Sequence, residues 1–145
     1  MTLHETLNER IADFAVLYFK LHRYHWFVKG PDFYPLHALY QELYEEATGL
    51  LDEYAERLLA IGGTPVATMS GYLGISKLKE DGTATDNQGI FKALIEDYTT
   101  ITEALKAGIS TAQEAGDEST ADLFIGTITG MEKHLWMFKQ SLSAK

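Results

Sequence analysis

HRYHWFVKGPDFYPLHALYQELYEEATGLLDEYAERLLAIGG, residues 22–63, holds two helical patterns with one break between them. Gly30-Pro31 ends the first, because glycine relaxes the backbone and proline removes an amide donor. Pro35 suits the first turn of the next helix, where a missing N–H costs nothing. The spacing predicts a helix over about 35–61, with Leu36, Leu39, Leu43, Ala47, Leu50, Tyr54, Leu58 and Ile61 forming one apolar stripe. Gly62-Gly63 and Pro65 stop it.

Four side chains in this stretch have metal-ligand chemistry: His25, His37, Asp52 and Glu56. Asp52 and Glu56 are four apart and share a helix face. At about 100° per residue, that face lies roughly 160° from the centre of the apolar stripe, so it points away from the subunit core. His37 precedes Asp52 by roughly 22 Å at 1.5 Å rise per residue, whereas ligands of one ion lie within roughly 2.0–2.6 Å of it. One chain therefore cannot close a site from all four. Two antiparallel copies of the helix bring the histidine end of one to the carboxylate end of the other, giving two equivalent mixed N/O sites across a two-fold axis. His25 falls in line with the apolar stripe of its own helix, a position usually taken by a core histidine. An Asp/Glu pair at this spacing is ordinarily a solvated helix face, and Glu42, Glu45, Glu46 and Glu53 surround this one.

The pattern H-x2-H-W-x-V-x-G-x2-F-x2-L-H, from His22 through His25, Trp26, Gly30, Phe33 and Leu36 to His37, closely resembles the Dps family of mini-ferritins. Asp52-Glu53-Tyr54-Ala55-Glu56-Arg57, Gly62-Gly63-Thr64-Pro65 and Lys133-His134-Leu135-Trp136 extend the likeness over nearly the whole chain. It implies a ferritin-like four-helix bundle with a short crossover helix, assembling into a tetrahedral shell of twelve copies. By position, the metal ligands would be His25, His37, Asp52 and Glu56. The function implied is iron storage and detoxification: a ferroxidase oxidises Fe(II) with hydrogen peroxide, or more slowly oxygen, and stores Fe(III) in the cavity. Trp26 would take part by accepting an electron and limiting radical escape, or would fill the interface as a large aromatic. Many members carry an aspartate four residues after the second histidine, where this chain has Gln41; the second, weaker iron position lacks that carboxylate. Carboxylates at the junction of the last two helices line the family's pores, which marks Asp117 and Asp122.

The remaining residues are consistent with this. All 145 residues are read as one all-α domain, 1–145, since 46% hydrophobic content supports a sizeable core. The first helix is expected over about 3–28, on Leu7, Ile11, Phe14, Tyr18, Leu21 and His25. A crossover covers 64–86, with a short helix between Met69 and Leu78. The third helix opens at a capping box Thr85-x-x-Gln88, carries Phe91, Leu94, Tyr98, Ile101, Leu105, Ile109 and Ala112, and ends at Gly116. The fourth follows Ser119-x-x-Asp122, with Asp122 read as a cap, and carries Phe124, Ile128, Met131, Leu135, Phe138 and Leu142. No Glu-x-x-His motif is present, which counts against a di-iron site inside one bundle. His22 is three residues from His25 but is expected to be structural, and His4 and His134 are expected not to be ligands.

Two imidazoles and two carboxylates suit Fe(II), and the same set binds Zn(II) at least as well. There is no cysteine, so no disulfide or thiolate site. The longest apolar run, 14–19, is too short to cross a bilayer and the N-terminus has no leader pattern, so a cytoplasmic protein is expected. Net charge is -9, and the first lysine is Lys20, so direct DNA binding is expected to be weak or absent. Ser143-Ala144-Lys145 is too short to act as a basic tail. The alternatives are a non-catalytic shell acting as a metal buffer, and a DNA-condensing structural protein.

Overall fold

A computed structural model describes residues 1–80, 82, 84 and 86–142. Five helices follow in order: α1 (Leu3–Phe27), α2 (Phe33–Ala60), α3 (Met69–Ile75), α4 (Asn87–Glu114) and α5 (Glu118–Gln140). No strand occurs among the described residues. Short loops fold α1 back on α2 and α4 back on α5, and the crossover carrying α3 joins the two hairpins. This is the connectivity expected of a ferritin-like bundle.

Each helix end has an identifiable cause. Thr2 and Glu5 form a reciprocal capping box at the start of α1, so two orphan backbone donors are satisfied by side chains. α2 begins two residues before Pro35, which sits in its first turn at a position with no intrahelical acceptor for an N–H. At its other end Gly62 adopts φ +89°, while the amides of Gly62 and Gly63 bond back to Leu59 and Leu58. That closure needs a left-handed residue, and glycine takes it without a Cβ clash. Asp86 caps α4 by accepting from the Gly89 amide at 2.6 Å; Thr85, expected as the cap, lies outside the described residues.

α5 starts earlier than the Ser119 motif suggests. Gly116, at φ +74°, ends α4 and leaves Asp117 as the cap, its side chain accepting from the Thr120 amide at 2.9 Å. Asp122 therefore lies inside the helix and caps nothing. α3 lies within the expected span, and after it Ser76 and Lys77 leave the helix to bond Asp13.

One apolar cluster runs through the bundle and includes the anticipated stripes: Leu43, Ala47, Tyr54 and Leu58 on α2, Phe91 to Leu105 on α4, and Phe124 to Phe138 on α5. Phe14 meets Tyr54 edge-on at 5.0 Å. Tyr40, which the stripe passes over, is fully buried. α1 is surrounded on most sides and buries charge as well as apolar surface: Arg10 with Glu9 and Asp13, and Lys20 with Asp97 of α4 at 2.5 Å. Among the described residues no helix is long and apolar enough to cross a membrane.

Candidate metal centre

His25 is in the last turn of α1 and His37 near the start of α2. The intervening loop reverses through Gly30 at φ +104°, which brings the two helix ends together. The histidines clasp each other. Nδ1 of His25 lies 2.6 Å from the His37 carbonyl oxygen, and Nδ1 of His37 lies 2.7 Å from the His25 carbonyl oxygen. A carbonyl only accepts, so each Nδ1 carries the hydrogen, and in the neutral ring each Nε2 keeps a free lone pair. The rings stack at 3.6 Å and 15°. Phe33 covers the outer face of His37 at 5.0 Å, and Tyr44 sets its ring edge-on to His25 at 5.3 Å. Backbone acceptors behind Nδ1 orient metal-binding histidines in just this way, fixing the tautomer and raising ligand basicity.

The carboxylates occupy a different place. Asp52 and Glu56 are exposed and line a shallow depression on α2 with Gly49, Glu53, Arg57, Ala60 and Leu123. Arg57, next to Glu56, turns instead to α5, donating to Thr120 Oγ1 and Asp117 Oδ1, each at 2.9 Å. The two acids are left facing outward. Among the described residues, no three His, Asp or Glu side chains converge on one point. One chain thus pairs the histidines and pairs the carboxylates without joining the pairs.

The whole chain fits one family. The ferritin-like domain family matches residues 4–144. The chain is 47% identical over 139 residues to DNA protection during starvation protein 2 of Bacillus anthracis, covering 96% of this chain and 95% of that one. Among solved structures it matches Dps from Staphylococcus aureus with a TM-score of 0.95 and 43% identity, covering 99% of this chain and 96% of that one. The chain belongs to the Dps family. Dps from Listeria innocua, solved after soaking with zinc, also matches, with a TM-score of 0.92 and 33% identity over 95% of this chain and 94% of that one.

The other expected residues of this Dps-family chain are placed as follows. Trp26 is 60% exposed, its ring 5.4 Å from that of His22. Gln41 is exposed and its amide donates to Glu45 at 3.1 Å. Asp117 is held by Thr120 and Arg57; burial alone would raise its pKa, but the hydrogen bonds from Thr120 and Arg57 keep its carboxyl below the ordinary aspartate value. Asp122 is exposed on α5, beside Glu46 and Glu53. His22 donates through Nδ1 to the Tyr18 carbonyl at 2.9 Å and stacks its ring on Tyr44 at 3.8 Å. His134 faces Glu46 at 3.0 Å. Trp136 is 60% exposed on the subunit.

Sequence reasoning missed Tyr44 and Phe33 as neighbours of the histidines and Arg57 as the tie between α2 and α5. Tyr44 was within reach of it, since it lies two helical turns beyond His37 on the same face.

Proposed function

We propose that the chain is an iron-storing ferroxidase whose site is completed by a second copy. The observation that carries this is the clasp: it bares two imidazole lone pairs at one end of α2 while two exposed carboxylates stand outward toward the other. Two such helices crossing about a two-fold axis join His25 and His37 of one subunit to Asp52 and Glu56 of the other. Two imidazoles and two carboxylates form a borderline-hard donor set for Fe(II), and carboxylate charge favours the Fe(III) product. Hydrogen peroxide is the oxidant, taking one electron from each of two Fe(II) ions, so that neither free iron nor peroxide is left to generate hydroxyl radical. Gln41 supplies only a neutral amide oxygen, so the second iron is held more weakly than the first.

Twelve copies close into a cytoplasmic shell that retains the ferric product. Exposed Trp26, Phe27, Leu59 and Trp136 on the isolated subunit support burial against neighbouring copies. Asp117 and Asp122 stand near the iron entry path. The names of the relatives point to DNA protection; here protection comes from removing iron and peroxide, because a chain of net charge -9 repels phosphate.

The test is anaerobic Fe(II) loading followed by peroxide, read as ferric absorbance, in the parent and in an assembled Asp52→Asn, Glu56→Gln double variant. Fast oxidation in the parent and its loss in the variant are expected. Equal, slow oxidation in both sinks the reading and leaves a metal-buffering shell. A band shift with duplex DNA at low salt would instead favour the DNA-condensing role.

A further inference from the structure

Beyond the histidine pair, α1 and α2 hold a run of touching rings that metal binding does not require. Tyr44 meets His25 edge-on at 5.3 Å and stacks on His22 at 3.8 Å and 19°. His22 in turn lies 5.4 Å from Trp26 and 4.5 Å from Tyr18, and Tyr18 lies 5.9 Å from Tyr44. The His22 ring is locked between them by its hydrogen bond to the Tyr18 carbonyl. On the isolated subunit Trp26 is exposed, and Tyr18 and Tyr44 are partly exposed. Electron tunnelling falls steeply with separation, and ring contact is the shortest gap that side chains provide.

Three other tyrosines are differently situated. Tyr40, Tyr54 and Tyr98 are buried, and burial pushes all three phenols well above their ordinary pKa. Among the described residues the Tyr40 hydroxyl has no hydrogen-bond partner. A phenol loses its proton when it loses an electron, and a buried one with no acceptor holds both. Oxidation of Tyr40 is thereby disfavoured relative to the half-exposed rings.

We propose that Tyr44 is the electron donor that repairs oxidised Trp26, with the His22 ring bridging the two, so that radicals are drawn along α1 and α2 rather than into the core. A one-electron oxidant such as hydroxyl radical takes an electron and a proton from the Trp26 indole and leaves as water. The tryptophanyl radical then takes an electron from Tyr44 and regains a proton from water, while the Tyr44 phenol releases its proton to water. A further Fe(II) reduces the tyrosyl radical, which takes up a proton, and becomes Fe(III). The relay draws its purpose from the ferroxidase reading, but its electron transfer is measurable without iron.

The test uses the full-length assembled protein in a Trp136→Phe background, where Trp26 is the sole tryptophan. Azide radicals made by pulse radiolysis oxidise tryptophan selectively, and absorbance then follows the tryptophanyl radical and the tyrosyl radical separately. Decay of the first is expected to match growth of the second, at a rate independent of protein concentration. Tyr44→Phe is expected to abolish that growth, His22→Gln to slow it at least tenfold, and Tyr40→Phe to leave it unchanged. Transfer at the parental rate in Tyr44→Phe, or a rate that rises with protein concentration, overturns the relay; a parental rate in His22→Gln overturns the bridging role. Failure of iron oxidation in the separate ferric assay removes the ferroxidase reading alone, whereas normal iron oxidation without radical transfer removes the relay alone.

Discussion

Replacing Asp13 tests whether buried charge on α1 holds the crossover in place. Asp13 is fully buried and accepts three hydrogen bonds: from Arg10 Nε at 2.9 Å, Ser76 Oγ at 2.7 Å and the Lys77 amide at 2.8 Å. Asp13→Ala leaves Arg10, itself 2% exposed, with Glu9 as its one charge partner among the described residues, and strands the Lys77 amide. Removing one member of a buried pair costs about 3–5 kcal/mol, because the remaining charge stays desolvated. At roughly 2–4 °C per kcal/mol for a chain of this size, the melting temperature falls by about 6–20 °C. Asp13→Asn keeps one acceptor oxygen for Ser76 and Lys77 and costs less, about 1–3 kcal/mol for the opposed donors at Arg10. An Arg10→Met, Asp13→Leu double variant removes both charges and recovers much of the loss. The assay is thermal unfolding at one fixed protein concentration, since assembly contributes to the observed midpoint. If Asp13→Ala melts with the parent, the buried charge does not secure the crossover; if the double variant is worse than the single, desolvation is not the cause.

Three further outcomes are expected. Asp117 has a folded-state pKa below its unfolded value, so its contribution is present above about pH 4 and is lost as pH falls through the lower folded value; Arg57→Ala should destabilise by about 0.5–1 kcal/mol at neutral pH, with the gap to the parent narrowing in acid. A gap that stays constant through an acid titration of stability rules this pairing out. Tyr54→Phe removes a 2.7 Å hydrogen bond to Thr127, whose hydroxyl still donates to Leu123, so the cost in a denaturation experiment should be about 1 kcal/mol, and a loss several times larger would contradict the contact. Zn(II) added before Fe(II) should slow ferric formation in the parent and have no further effect in the Asp52→Asn, Glu56→Gln variant; equal inhibition of both would place zinc elsewhere.

The bundle was legible because α2, α4 and α5 each bury one face, and a single apolar stripe records that directly. α1 was less so. It is enclosed on most sides, and charged residues such as Arg10, Asp13 and Lys20 read as solvent-facing in a pattern although each is buried with a partner. Helix ends were decided by competition between neighbours. Ser119 has the residue type of a cap, yet Gly116 had already turned the chain and placed Asp117 over the Thr120 amide. Of the candidate site, the spacing of His37, Asp52 and Glu56 revealed both the outward carboxylates and their separation from the histidine end of α2. The crossed hydrogen bonds of His25 and His37 run from side chain to backbone across a loop, and no residue pattern encodes them.

The length of α2 between His37 and Asp52 has a genetic consequence. Under the proposed two-fold arrangement, a chain without the histidines and a chain without the carboxylates are each inactive alone. A mixed dimer, however, assembles one intact site from the histidines of the second chain and the carboxylates of the first, and one site lacking both pairs. Random pairing of equal amounts restores about one site in four. Two dead alleles expressed together would thus complement each other, a behaviour that a site closed within one bundle could never show.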